Sequence, residues 1–409
     1  MEDRTMASRI PREWDRGGLP PWTYHSDELT QLEKDDLFRR HWQLACHVSD
    51  VPAAGDYVAF DLAGERALVL RGGDGRIRAF HNLCRHRGSR VVAASRGRCD
   101  RMITCPFHGW RYNLDGTLRG PAFPDSLPKL DRVEHGLKPI ELDFWMGFVF
   151  VRFLPGDQPP VSRLLARHDA EVAPYGTDAM VPAAGDFWTQ EMAVNWKAVR
   201  DVDNEGYHVP EAHPSLQDLY GKHYCDEPLI DGTCRSFGEF TERPGRMWSV
   251  RHYKNILPER RELPVPNRRA WLYVGLFPNT VIALYPDSTL FYQEYPVSAR
   301  RTVQRGATYR HPVESRELRL SRYLSGRIDR RTGREDTQLI EWTWEAMESS
   351  GFDGIILSDR EYLVRSYHDA LRARLPVMTL KRAPARGTAA ETNARMLLRP
   401  RSLRAAERA

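Results

Sequence analysis

The sequence predicts an α+β protein of two domains: a small all-β domain, then a larger one with an antiparallel sheet and separate helices. Three observations predict it. Between residues 42 and about 155, short alternating runs are broken by Gly and Asp-Gly clusters, the pattern of a compact β domain. Between Trp271 and His311, four longer strand runs follow one another across Pro-Asn, Pro-Asp and Arg-rich turns. Amphipathic helical periods flank them, so strands and helices are segregated rather than alternating. At 409 residues the chain is long enough to bury two cores.

Residues 1–41 read as loops followed by a short helix, expected to pack on the second domain. Ser26 or Asp27 would cap it, and Leu29, Leu32 and Leu37 supply its apolar stripe. The first domain is placed at 42–155. Its strands are expected at 57–62, 66–70 and 76–80, with Gly64 and Gly72-Gly73-Asp74-Gly75 as turns. The runs 102–104 and 110–114 follow, and Asp115-Gly116 is a hairpin turn. The longest apolar run, 144–151, reads as one buried strand, far short of the roughly 18 residues of a membrane span. Residues 156–185, rich in Pro, Asp and Arg, read as a linker with a short helix. The second domain is placed at 186–380: a strand at 188–194, a helix at 198–208, the four strands, and amphipathic helices at 334–349 and 360–374. Gly351 suits the end of the first of these helices.

The net charge of +5 is unevenly placed. From Lys381 to Ala409 eight Lys or Arg and two Glu give +6, leaving the preceding 380 residues near neutral at −1. This basic tail, 381–409, carries no nucleic-acid recognition motif and reads as a solvated extension. No nucleic acid and no membrane is expected as a partner. The six Cys (46, 84, 99, 105, 225 and 234) show no disulfide framework, and the first thirty residues hold no apolar signal core, so a cytoplasmic setting is expected.

Two short motifs carry the chemistry of the first domain. Cys84-Arg85-His86 is followed, eighteen residues on, by Cys105-Pro106-Phe107-His108. C-x-H paired with C-x-x-H differs from the spacing of a zinc finger. One thiolate and one imidazole from each loop suit a two-iron cluster with sulfur ligands on one iron and nitrogen ligands on the other. That is Rieske [2Fe–2S] ligation. Gly88 and Gly109 suit two tight loops that turn backbone N–H groups toward the sulfurs. Seven Arg and one acid, Asp100, lie between Arg85 and Arg111. A loop-tip placement, with Arg87 and Arg90 foremost, would steer an acidic redox partner there.

A second site is read at Asn204-Glu205-Gly206-Tyr207-His208-Val209-Pro210-Glu211-Ala212-His213. On a helix Glu205 and His208 would share a face; Pro210 would end or bend it, and His213 would return from the next turn. Two His with a carboxylate form the facial triad of non-haem Fe(II) oxygenases. The carboxylate is Asp336, expected in the first turn of its helix, or Glu341, Glu345, Asp353 or Asp359; spacing alone does not choose.

Taken together, these motifs resemble the catalytic α subunit of the Rieske non-haem iron ring-hydroxylating oxygenases over nearly the whole chain. Cys46-His47-Val48-Ser49-Asp50-Val51-Pro52, both cluster loops, Asn195-Trp196-Lys197, Glu205-Gly206-Tyr207-His208 and Glu335-Asp336 carry the resemblance. It implies that Cys84, His86, Cys105 and His108 bind the cluster, and that His208, His213 and Asp336 bind Fe(II). The family usually has Gln eight residues after that Asp; here Trp344 stands there. It also implies a helix-grip catalytic domain and a homotrimer. In such a trimer the cluster of one subunit serves the iron of the next through a carboxylate, here His108, Glu205 and His208. Glu205, where aromatic dioxygenases usually have Asp, resembles the carnitine, choline and betaine monooxygenase branch, as do Leu19-Pro20-Pro21-Trp22-Thr23-Tyr24 and Gly55-Asp56-Tyr57.

The expected function is therefore O2-dependent oxygenation of a small organic substrate, leaning to monooxygenation of a quaternary ammonium compound. The alternative is an aromatic ring-hydroxylating dioxygenase. No nucleotide-binding Gly motif and no four-Cys ferredoxin spacing is present, so electrons from NAD(P)H must arrive through a separate flavin/iron–sulfur reductase or ferredoxin. Outside catalysis, a Rieske electron carrier or a metal-binding sensor remains open. The roughly 250 residues beyond the first domain argue against a bare carrier. Trp188, Tyr207, Trp271, Tyr273, Phe277, Tyr285 and Tyr292 are candidates for a pocket that holds a trimethylammonium group by cation–π attraction.

Overall fold

Residues 10–183 and 187–398 are described in a computed structural model of the chain. The last eleven residues of the basic tail lie outside the described residues, as do residues 184–186, where the second domain was expected to begin. The described residues form two compact units, one of residues 38–169 and 176–183, the other of 10–37, 170–175 and 187–398.

The first unit is all-β apart from short helical turns. Ile77–His81, Glu65–Arg71, Asp56–Leu62 and Arg96–Arg98 form a four-stranded antiparallel sheet in that order. Met102–Thr104, Arg111–Asn113 and Leu118–Gly120 form a second, three-stranded sheet. Gly116 takes φ +88° in the turn before Leu118, where a Cβ would stand 2.3 Å from the Phe80 ring, so only Gly fits. Leu68, Leu70, Phe80, Ile103, Trp110, Tyr112 and Leu118 bury themselves between these sheets together with both motif cysteines. The run 144–151 is not one strand. Met146 (φ +48°) and Gly147 (φ +82°) fold it into a hairpin of Glu141–Trp145 against Phe148–Arg152. An unbroken apolar run hides such a turn because Met146 is itself apolar.

The second unit is built on one antiparallel sheet. From Tyr224–Asp226 it runs through Thr233–Glu239, Ala270–Leu276, Thr280–Leu284 and Thr289–Ser298 to Arg301–Arg310, against which Trp188–Met192 pairs. Strict alternation puts Trp271, Tyr273, Ala283, Leu290 and Tyr292 on one face. That face packs on Leu324 and Ile328 of the helix Arg316–Ala346 and on Leu216, Leu219 and Tyr220 of the helix Pro214–Tyr220. The N-terminal helix is Asp27–Glu33, with Ser26 Oγ accepting from Leu29 N at 3.2 Å as its cap. Its Glu33 is fully buried, takes the Trp196 indole N–H at 2.7 Å and pairs with the buried Lys197. Asn195-Trp196-Lys197 is thus an anchor: Asn195 caps the helix Trp196–Asp203 while the next two side chains pin it to the N-terminal segment.

Two expectations about the helices are corrected. The helix expected at 198–208 ends at Asp203, so Glu205 and His208 share a loop rather than a helix face. Pro210 ends nothing; it occupies the first turn of a new helix, Val209–Ala212, where its missing N–H costs no hydrogen bond. The helix expected at 334–349 is 31 residues long and begins at Arg316, capped by Ser315. Asp336 therefore sits deep inside it and not in its first turn.

Candidate functional site

The two cysteine–histidine loops are near copies of each other. Gly88 N donates to Cys84 O at 2.9 Å, and Gly109 N to Cys105 O at 3.1 Å. Each Gly is left-handed, at φ +73° and +65°. Cys84 N then bonds Ser89 O, and Cys105 N bonds Trp110 O, closing each loop on itself. The two thiols are buried and the two imidazoles exposed. His86 and His108 meet edge to face at 4.7 Å, and His86 stacks on the Trp110 indole at 5.2 Å. Sulfur donors inside and nitrogen donors at the rim fit a two-iron cluster with one shielded and one solvent-facing iron. Motif spacing did not reveal Tyr112. Its hydroxyl accepts from Arg85 N at 2.9 Å, which leaves its own proton for Cys84 Sγ at 3.2 Å.

Three of the seven arginines expected around this tip are held in ion pairs. Arg90 is paired with Asp61, Arg96 with Asp50 and Arg98 with Asp56. Arg87 lies over the exposed Phe107 ring at 5.5 Å. Arg90 thus carries an ion-pair partner, while Arg85, Arg87, Arg101 and Arg111 are exposed.

In the second unit three donor atoms converge. His208 Nε2 is 3.0 Å from His213 Nε2, His213 Nε2 is 2.8 Å from Asp336 Oδ1, and His208 Nε2 is 3.5 Å from the same oxygen. All three lie within 4.8 Å of one another, close enough to share one metal ion. Asp336 is brought here from the long helix. Asp359 instead accepts from Trp14 and Arg16, and Asp353 and Glu345 are exposed.

Each imidazole is held from behind by a second carboxylate. Glu205 Oε1 takes His208 Nδ1, while its Oε2 accepts from the backbone N–H of Tyr207 and of His208, the latter at 3.1 Å. Glu335 Oε2 takes His213 Nδ1 at 3.0 Å, and Arg331 steadies Glu335 at 2.8 Å. These bonds fix both rings with Nε2 forward, the arrangement metal-binding histidines use. Glu335 was visible only as the neighbour of Asp336; its role needed the helix phase. Burial disfavours the charged form of His208, but Asp336 and Glu205 outweigh it and raise its pKa to about 10. Burial likewise opposes ionisation of Asp336, yet its two histidine partners hold it below the usual carboxylate range. Three carboxylates around two imidazoles leave an excess of negative charge, which suits a divalent cation.

Residues 41–131 match the family model for a Rieske [2Fe-2S] domain, and residues 180–376 that for the catalytic domain of the ring-hydroxylating alpha subunit. The chain belongs to the Rieske ring-hydroxylating oxygenases. Oxygenases of this family are oxidoreductases that carry a [2Fe–2S] cluster and a mononuclear iron, and both donor sets described above fit those groups. Among relatives, the glycine betaine monooxygenase oxygenase subunit of Chromohalobacter salexigens is 37% identical over 52% of this chain and 47% of its own. The carnitine monooxygenase oxygenase subunit of Escherichia coli is 31% identical over 49% and 53%. The chain thus spans about half the length of the curated relatives it matches. Among solved structures, a quaternary ammonium Rieske monooxygenase in complex with L-carnitine superposes with a TM-score of 0.71 at 22% identity, over 88% of this chain and 95% of that one. Naphthalene 1,2-dioxygenase with indole bound superposes at 0.69 and 19%, over 93% and 96%. At these identities the chain shares their fold, a β domain and an α+β domain. No helix among the described residues is long and apolar enough to cross a membrane.

Proposed function

We propose that this oxygenase performs an O2-dependent monooxygenation of a small quaternary ammonium compound. The observation that carries the reading is the convergence of His208, His213 and Asp336, joined to relatives named for glycine betaine and carnitine. Cys84, His86, Cys105 and His108 would hold the [2Fe–2S] cluster, and His208, His213 and Asp336 the iron. When bound, cluster and iron supply the electron transfer and the O2 chemistry. The chain does the rest. Glu205 and Glu335 hold the imidazole protons on Nδ1, so each Nε2 lone pair faces the metal. The packed core of Trp271, Tyr285, Leu324 and Ile328 holds the long helix that carries Asp336 against the sheet. Electrons would come from NAD(P)H through a separate reductase or ferredoxin in the cytoplasm, and the working assembly would be a homotrimer.

The test is product analysis of the enzyme reconstituted with a reductase. A trimethylammonium substrate should release formaldehyde or another aldehyde, with one O2 consumed per turnover. A cis-dihydrodiol from an arene, with no turnover of any betaine, would overturn the substrate reading.

The Tyr112 hydroxyl gives a separate expectation for the cluster. A hydrogen bond to a ligating sulfur stabilises the more reduced, more negative state. A bond worth about 0.5–1.5 kcal/mol corresponds to about 20–65 mV for one electron. Tyr112→Phe should lower the midpoint potential by that amount, and an unchanged potential in protein-film voltammetry would rule the bond out.

A further inference from the structure

The long helix presents one stripe to the sheet. Ser321, Leu324, Ser325 and Ile328 are buried on it, as are Ile340 and Trp344 further along. Between these two apolar ends the same stripe carries Asp329, Thr332 and Asp336, at i, i+3 and i+7. Asp336 is accounted for by the metal site. Asp329 and Thr332 are not, and polar groups on a buried stripe call for a reason.

Asp329 Oδ1 accepts from Tyr285 at 3.1 Å. Its other oxygen has no partner among the described residues. With Tyr285 donating to the carboxylate, the hydroxyl chain has one sense: Tyr220 donates to Tyr273 at 3.1 Å and Tyr273 to Tyr285 at 3.4 Å. Burial raises the Asp329 carboxyl to about 7, with the Tyr285 hydroxyl pulling it back. The Thr332 hydroxyl, one turn nearer to Asp336, is buried with no partner. The wall opposite is aromatic: Trp271 and Tyr285 stack at 4.0 Å, and Tyr273 stands edge-on to Tyr285 at 6.0 Å. The strand neighbours of Tyr273 on that face, Trp271, Gly275, Ala283 and Ser236, include no cation and are mostly small. Asp329 lies two turns, about 10 Å of helix rise, from Asp336. That spans a carboxylate–ammonium contact, an N-methyl group and the approach of that methyl to the metal.

We propose that the half-buried Asp329, with Tyr285 bonded to it and the half-buried Tyr273 next along the hydroxyl chain, is the counter-charge of a subsite for the alkylammonium group of the substrate. The proposal rests on the quaternary ammonium reading above and deepens it by assigning the charge recognition to one residue. Aromatic faces attract such a group through their quadrupole, but they also accept a neutral tert-butyl group of the same shape. The carboxylate is what tells the two apart.

The holoenzyme can be titrated with two matched pairs: glycine betaine against 3,3-dimethylbutanoate, and choline against 3,3-dimethylbutanol. Within each pair only the charge of the quaternary centre differs. The wild type should bind the ammonium member at least about tenfold more tightly. Asp329→Asn should bring the two members of each pair to within about twofold, with the isostere's affinity unchanged, while Asp329→Glu keeps the discrimination. Cluster and iron contents report on folding of each variant, and Asp329→Ser stands in for the Asn variant if that one does not fold. An undiminished preference in the neutral variants, or its equal loss in the Glu variant, would overturn the subsite alone. A wild type that prefers neither ammonium compound would overturn the substrate reading with it.

Discussion

Asp336→Ala should yield a brown protein with an intact cluster signal, about two irons per chain in place of about three, and no measurable turnover. Three protein donors hold the iron in this reading, and losing Asp336 leaves two neutral imidazoles without the carboxylate charge that offsets the cation, so the iron is held too weakly to stay. The expectation follows from geometry: Asp336 Oδ1 stands 2.8 Å from His213 Nε2 and 3.5 Å from His208 Nε2. Glu345→Ala, on the same helix but exposed, should keep all three irons. Metal analysis and low-temperature EPR decide the matter. An Asp336→Ala protein that retains its third iron would remove Asp336 from the site.

Glu205→Gln should leave cluster and iron largely in place and slow single-turnover electron transfer between them by about 10- to 100-fold. Gln keeps the length and one acceptor oxygen, so the backbone bonds to Tyr207 and His208 can persist. What it loses is the charge that accepts the His208 Nδ1 proton. If Glu205 also receives His108 from a neighbouring subunit, that charge joins the two metal sites. Mixed oligomers of a Cys84→Ser chain and a His213→Ala chain should then regain activity that neither has alone. A fully active Glu205→Gln enzyme would defeat the bridge, and failure of well-mixed, folded oligomers to complement would defeat the route between subunits.

The sequence showed the metal chemistry more clearly than the backbone that carries it. Donor types and spacings are chemical requirements, so Cys84, His86, Cys105, His108, His208 and His213 stand out whatever conformation surrounds them. The conformation at 204–213 was misread because Glu205 and His208 satisfy helical spacing and loop spacing equally well. Pro210 decides between them only once one knows which side of it the helix lies on. The length of Arg316–Ala346 was hidden by Gly326, Gly333 and a run of arginines that look like punctuation; each Gly costs the helix about 1 kcal/mol, which the burial of Leu324, Ile328, Ile340 and Trp344 offsets. The strand Thr233–Glu239 was missed because Cys, Arg, Ser and Gly carry no β signal of their own. It forms because the neighbouring strand at Ala270–Leu276 supplies a full ladder. Spacing left Asp336 among five carboxylates and only the resemblance pointed to it; the long helix then brings its Oδ1 within 2.8 Å of His213 Nε2.

That long helix has a consequence for how such an enzyme can diversify. With Asp329, Thr332 and Asp336 on a single rod, the distance from the metal to whatever the upper positions recognise is quantised in helical repeats. Point changes at 329 or 332 can retune preference while the reaction centre stays where it is. A one-residue insertion between them cannot, because it would swing the upper positions by about 100° and away from the sheet. Evolution along this segment is therefore confined to swapping letters at fixed length, and length itself should behave as the protected character of the helix.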